Sequence, residues 1–255
     1  MSGWLGLAGR TVVVTGAGGG IGQALARGFA GAGARVVLLD RDTGATAPLA
    51  HGLHDAVALA CDVTDDAAVA AAAAGIEADV LVNNAAVLRP GPLETLSIAD
   101  WQRMLDVNLT GYLRCAQAFG RGMLARGQGA LVHVASIAAS QPQPASGAYS
   151  PSKAAIAMLS RQFALEWGPR GVRSNVVSPG LVRTPLSEPF YADEDTRLKR
   201  EGMVPLRRIG GVEDIADAAV WLASDRAGYV SGQEIVVDGG LSQALMGLVP
   251  RPGYA

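Results

Sequence analysis

Thr11-Val12-Val13-Val14-Thr15 runs straight into Gly16-Ala17-Gly18-Gly19-Gly20-Ile21-Gly22, and a helix-like segment, Ile21–Gly31, follows. A β-branched run, a glycine-rich turn and a helix are the start of a βαβ unit. Glycines at that junction let the backbone approach a pyrophosphate closely. The helix N-terminus then offers unpaired N–H groups and a dipole that favours an anion. A glycine turn by itself also does nothing more than connect two elements. Here a second strand follows, and its terminal Asp40 stands 18 residues past Gly22, near the spacing of about 20 at which an acid meets a ribose diol. The pattern points to a bound dinucleotide.

Outward from this unit, short apolar runs alternate with longer helical stretches. Thr11–Thr15, Arg35–Asp40, Val57–Asp62, Asp79–Asn83, Ala130–Ser136, Val172–Ser178 and Glu234–Asp238 read as strands. They are β-branched-rich and mostly unalternated, as strands covered on both faces are. Between them the sequence predicts helices over Ile21–Gly31, Asp65–Ala74, Ile98–Leu124, Tyr149–Trp167 and Val212–Ala223. The expected fold is a single-domain, doubly wound, Rossmann-type α/β structure: a parallel sheet of about seven strands with helices on both faces. Leu181–Gly211 reads as a long loop, its helices interrupted by Pro185, Pro189 and Pro205, and therefore as a substrate cover. Leu241–Ala255 reads as an apolar tail that packs on the body or on another subunit.

Composition narrows the class. The chain has 255 residues, of which 49% are hydrophobic and 17% charged, which excludes disorder as a description of the whole. Lys plus Arg is 21 against 23 Asp plus Glu, so there is no electrostatic footprint for nucleic acid or an anionic membrane. No basic leader, cleavage pattern or long apolar run is evident, so the expectation is a cytoplasmic protein. Cys61 and Cys115 read as buried thiols in a reducing compartment. His51, His54 and His133 lack the partners of a ligand cluster, and no metal is expected.

A second constellation consists of Ser136, Tyr149 and Lys153. Ser136 ends a strand at the carboxyl edge where α/β sheets place ligands. Tyr149 and Lys153, four residues apart in a helical segment, share one face. A phenol is a poor base at neutral pH, but a nearby ammonium favours the phenolate and brings it into acid/base range. Tyr-x-x-x-Lys alone is a frequent accident. Following a glycine-rich nucleotide site in a βα series, it carries weight.

Over essentially its whole length the chain resembles the short-chain dehydrogenase/reductase family. The family's glycine motif falls on Thr15-Gly16-(x3)-Gly20-Ile21-Gly22, and its Asn-Asn-Ala-Gly appears as Asn83-Asn84-Ala85-Ala86, with Ala in place of the last Gly. Its catalytic Asn-Ser-Tyr-Lys set falls on Asn108, Ser136, Tyr149 and Lys153, and its Pro-Gly on Pro179-Gly180, followed by Thr184. The resemblance implies that Tyr149 moves the hydroxyl proton and Ser136 orients the carbonyl. It implies that Lys153 lowers the tyrosine pKa and holds the nicotinamide ribose, and that Asn108 positions a water linking Lys153 to solvent. For the cofactor it implies Gly16, Gly19, Gly20, Ile21 and Gly22 at the pyrophosphate and Asp40 with Arg41 at the adenosine ribose. It further implies Asp62 and Val63 at the adenine, Asn84 and Ala85 beside the adjoining ribose, and Pro179, Gly180, Val182 and Thr184 at the nicotinamide.

The implied activity is reversible hydride transfer between a nicotinamide cofactor and a secondary alcohol or ketone. Asp40 favours NAD over NADP, against which stands Arg41, a guanidinium able to accept a 2′-phosphate. The run Gly127–Ser152 has no formally charged side chain, which favours a sugar, polyol or other small uncharged substrate. Leu186, Phe190 and Tyr191 would add apolar walls, while Arg183 and Glu188 are charges that could also reach the site. Two alternatives remain open: a non-catalytic NAD(P)-binding regulator on the same fold, and an NADP-dependent 3-oxoacyl-type carbonyl reductase. Family members are commonly homotetramers, and the apolar tail and the helix of Tyr149 suit such an assembly.

Overall fold

The computed structural model describes residues 3–185, 187–249 and 253. Seven strands form one parallel sheet: β1 (Thr11–Thr15), β2 (Arg35–Asp40), β3 (Ala56–Ala60), β4 (Val80–Asn83), β5 (Gly129–Val134), β6 (Val172–Pro179) and β7 (Glu234–Val237). Their order across the sheet is β3-β2-β1-β4-β5-β6-β7. The chain steps outward from β1 on one side and from β4 on the other, so the crevice between these strands is the switch point where such sheets bind ligands.

Within each strand, successive residues serve different cores. Val12 and Val14 pack with Val36, Leu38 and Val80 beneath the helices α1 (Gly20–Gly31) and α8 (Val212–Ala223). Val13, Val37, Leu39 and Leu81 face α3 (Asp66–Ala73), α5 (Gly111–Arg126) and α6 (Tyr149–Trp167). Both faces are dry, which is why the central strands show no polar alternation. The edge strands depart from this reading. β3 is half-buried through Leu59 with Ala60 exposed, and Val236 of β7 is exposed, because one flank of each lacks a neighbour.

Three segments differ from the sequence reading. A helix α2 (Thr43–His51) follows β2, capped by Asp42, whose side chain accepts from Gly44 N at 2.8 Å. The stretch expected as one helix from Ile98 is α4 (Ile98–Leu105), a π-helical turn (Asp106–Thr110) and then α5. Leu181–Gly211 is not a bare loop: it holds a short 3-10 turn (Glu188–Tyr191) and α7 (Glu194–Met203). Pro189 and Pro205 bracket α7 rather than interrupt it. The tail forms a 3-10 segment over Leu241–Leu248. Leu186, Pro250 and Pro252 lie outside the described residues.

Candidate active site

The glycine turn sits at the carboxyl end of β1 and leads into α1. Gly16 has φ +61°, and a methyl built on it would stand 2.7 Å from Ala85 Cα, so glycine is required there by both conformation and space. Gly19, the N-cap of α1, offers no side-chain cap, and the first turn carries no acid. The leading N–H groups of α1 are therefore left for an anion. Across the turn, Thr15 Oγ1 accepts from Asn84 N at 2.9 Å and Ala85 N at 3.1 Å, while Asn84 Nδ2 donates to Thr15 O and Gly16 O. These bonds lock the end of β4 to the glycine turn.

Asp40 closes the other side. Its Oδ2 accepts from Gly18 N at 2.9 Å and its Oδ1 from Asp42 N at 3.2 Å, so the carboxylate is fixed at the mouth of β2 with Arg41 exposed beside it. Asp62 follows β3 and accepts from both Thr64 N and Thr64 Oγ1, which hold its carboxyl below the usual range. The nearby Arg103 and Arg41 guanidiniums add to this.

A cavity of about 650 Å³ joins these groups to Ser136, Tyr149 and Lys153. Every residue expected at the cofactor lines it: Gly16, Gly19, Gly20, Ile21, Gly22, Asp40, Arg41, Asp62, Val63, Asn84, Ala85, Tyr149, Lys153, Pro179, Gly180, Val182 and Thr184. The charges are unevenly placed. Asp40, Arg41, Asp62 and Arg103 sit at the β2–β3 end, whereas the Ser136 and Tyr149 end is walled by Ala86, Val87, Leu88, Gly180 and Val182. A glycine cradle with open helix N–H groups, an acid fixed beside it and a long cavity crossing the switch point all fit a dinucleotide.

Tyr149 opens α6 and Lys153 lies one turn on, so the helix aims both into the cavity. Lys153 Nζ donates to Val134 O at 2.9 Å and lies 5.5 Å from the centre of the Tyr149 ring. Burial pushes Lys153 down to about 7. Burial also raises the Tyr149 phenol above its usual value, opposed by the Ser136 hydroxyl. The lysine was expected to lower the tyrosine; here its hydrogen bond goes to a main-chain carbonyl instead. Ser136, in extended conformation after β5, accepts from Ala138 N at 3.1 Å.

Asn108 occupies the π-helical turn and is fully buried beside the cavity rather than lining it. Its Oδ1 accepts from Val87 N at 2.8 Å, and its Nδ2 donates to Val87 O at 3.0 Å and Ser152 Oγ at 3.2 Å. It thus ties α6 to the substrate-side segment after β4. Arg183 and Glu188, two charges left open by the sequence, pair with each other through two bonds of 2.9 and 2.5 Å.

Three residues of the site were not singled out from sequence: Arg103, Tyr112 and Ser187. Ser187 Oγ donates to Val182 O at 2.8 Å and accepts from Thr184 N at 2.9 Å, shaping the segment after β6. Arg103 and Tyr112 meet Asp62 and Val134, far from them in sequence, whereas the bonds of Ser187 close within its own turn. Cys61 also lines the cavity, its thiol pushed up to about 11 by burial. Among the described residues, no group of three or more metal-ligating side chains comes together.

Fold and site together define a doubly wound α/β oxidoreductase. A family model described as Enoyl-(Acyl carrier protein) reductase matches residues 16–242. The chain is 41% identical over 243 residues to galactitol 2-dehydrogenase (L-tagatose-forming) of Cereibacter sphaeroides, covering 92% of this chain and 95% of that one. It is 36% identical over 247 residues to 3beta-hydroxysteroid dehydrogenase 1 of Eggerthella lenta, with coverage of 92% and 95%. The crystal structure of a gluconate 5-dehydrogenase from Burkholderia cenocepacia J2315, in complex with NADP and tartrate, matches with a TM-score of 0.88. That chain is 36% identical, over 94% of this chain and 98% of its own. The protein belongs to the short-chain dehydrogenase/reductase family, whose NAD(P)-dependent chemistry acts on CH–OH groups.

Proposed function

We propose that the protein oxidises a small uncharged secondary alcohol, a polyol or sugar alcohol, reversibly to the ketone, with NAD preferred over NADP. The observation that carries this reading is the uneven cavity: Ser136, Tyr149 and Lys153 face its Ala86, Val87, Leu88, Gly180 and Val182 walls, while Asp40, Arg41, Asp62 and Arg103 line its other end. Arg183, the nearest cation of the following segment, is committed to Glu188. Galactitol 2-dehydrogenase among the relatives acts, by name, on such a polyol.

A nicotinamide bound in the cavity would supply the hydride acceptor for the alcohol carbon. Ser136 donates to the substrate oxygen and fixes its position. Tyr149 Oη, as phenolate, accepts the hydroxyl proton, and in reduction the phenol returns it. Lys153 stands one helical turn on, and its ammonium, drawn from Val134 O toward the cavity, would favour the phenolate and meet the ribose. The glycine turn and the N-terminus of α1 would hold the pyrophosphate, and Asp40 would accept from the adenosine ribose. The NAD preference rests on Asp40, whose fixed carboxylate opposes a 2′-phosphate. Arg41, exposed beside Asp40, is the residue that would reverse it.

A panel of polyols, sugar acids and ketones, followed by nicotinamide absorbance, tests the reading. Turnover is expected on uncharged polyols and to fall by about 10²–10⁴-fold in Tyr149→Phe, with NADH binding retained. Turnover of Tyr149→Phe close to wild type on the best substrate would remove Tyr149 from the proton step. Two further readings accompany this one: assembly as a homotetramer, supported by exposed Met158, Leu165, Val236 and Leu245, and a cytoplasmic setting, supported by the free buried thiols Cys61 and Cys115.

A further inference from the structure

The Val134 carbonyl lies one residue beyond the last pairing of β5 with β4, where Asn83 stands opposite His133. Two side chains reach it. Lys153 Nζ donates at 2.9 Å, and the Tyr112 hydroxyl donates at 3.0 Å. Tyr112 is buried on the first turn of α5. Its ring also lies 5.6 Å from Lys153 Nζ, so the ammonium sits between the faces of Tyr112 and Tyr149. The groups facing Lys153 are therefore Tyr149 from its own helix, Tyr112 from α5 and the carbonyl from β5. No carboxylate pairs with it among the described residues, and burial alone sets its lowered pKa.

With one of its three N–H donors on Val134 O, Lys153 must stretch or give up that bond to move Nζ closer to a cofactor ribose and the Tyr149 oxygen. A buried carbonyl stripped of its donor is costly. With the Tyr112 hydroxyl in place, the carbonyl keeps a partner wherever the lysine points. An acceptor shared by two donors also grips each less tightly.

We propose that Tyr112 is a positioning residue for Lys153, sharing the Val134 carbonyl so that the ammonium is free to leave it for the cofactor and the phenol. This rests on the dehydrogenase reading above. Tyr112 does not touch the reacting atoms; it acts through Lys153. Its loss would therefore appear first in cofactor binding.

Tyr112→Phe keeps the ring, its cation-facing surface and its stack on His133 (5.9 Å between centroids), and removes only the hydroxyl. NADH affinity is read by fluorescence titration from pH 6 to pH 10 in wild type, Tyr112→Phe, Lys153→Met and the double variant, with folding checked by circular dichroism. Tyr112→Phe is expected to weaken NADH binding by about fivefold or more. Its high-pH loss of binding should move upward, because the unshared carbonyl holds the ammonium more firmly. In the Lys153→Met background, removing the hydroxyl should change affinity by less than about twofold. Affinity unchanged in Tyr112→Phe, or the same loss with Lys153 already absent, would overturn the proposal and leave Tyr112 a packing residue. A wild-type protein that binds neither NADH nor NADPH would overturn the dehydrogenase reading, and this proposal with it.

Discussion

Asp40 is where one side chain both builds and selects. Its Oδ2 holds Gly18 N, and the same carboxylate faces the end of the cavity where Arg41 is exposed. Asp40→Ala should lower kcat/KM for NAD and raise it for NADP, since Arg41 then meets a 2′-phosphate without an opposing charge. A change of at least about tenfold in the ratio of the two values is expected, read by steady-state kinetics with both cofactors. His133, next to last in β5, makes a different prediction. Its Nδ1 faces Asn83 Nδ2 and its Nε2 faces Ser174 Oγ, so the neutral ring with the proton on Nε2 suits both neighbours. A second proton on Nδ1 would confront an amide donor, and burial pushes the group down to about 3. The unfolded chain, with histidine near 6.5, binds this proton first, so stability falls as pH drops from about 6.5 towards 3. Between pH 6.5 and 4.5 the loss should reach about 2–3 kcal/mol, seen as a falling urea midpoint. His133→Gln should flatten that slope, and an equally steep slope in the variant would assign the pH dependence to other groups.

At the level of elements, the π-helical turn between α4 and α5 is the device that delivers Asn108. The extra residue in the turn bulges the backbone so that the amide reaches Val87 in the segment after β4. Asn108→Ala leaves the Val87 N–H and carbonyl without these partners. It should lower Tm by roughly 3–10 °C and raise KM for the alcohol more than it lowers kcat; a KM equal to wild type would make the turn purely structural. This turn was not legible in sequence, because Ile98–Leu124 keeps an uninterrupted helical pattern across it. α2 escaped notice for the opposite reason: Pro48 and the small residues around it look like a link. α7 was hidden by the prolines on either side. What was legible had a local cause. The central strands showed as apolar runs because two cores claim alternate residues, and the glycine turn, Asp40, Ser136, Tyr149 and Lys153 each stand at fixed offsets within one βα step. Thr15 and Tyr112 act on partners, Asn84 and Val134, that only the tertiary fold supplies.

At the scale of the whole molecule, the strand order sorts the chemistry. Charged side chains gather past β2 and β3, the glycine turn lies in the middle at β1, and the proton-handling groups lie past β5. The segment after β6 reaches back over this line: a methyl built on Gly20 would meet Pro185 Cδ at 2.9 Å, so that segment rests on the start of α1. The outer surface is less complete. Met158 and Leu165, seven residues apart on α6, are 59% and 78% exposed, and Leu245 and Met246 of the tail are also exposed. Single exposed apolar residues are ordinary, but a stripe on the helix that begins with Tyr149 and Lys153 calls for a cover. If copies of the chain supply that cover, each association stabilises the very helix that presents the acid/base pair. Mass action then enters the kinetics. Specific activity should fall on dilution and recover on concentration, with melting temperature rising with protein concentration; light scattering that finds a monomer at micromolar concentration and a dilution-independent rate would show α6 to be self-sufficient. A catalyst built this way works fully only where enough of it is present, so the amount of protein sets the quality of each site as well as their number.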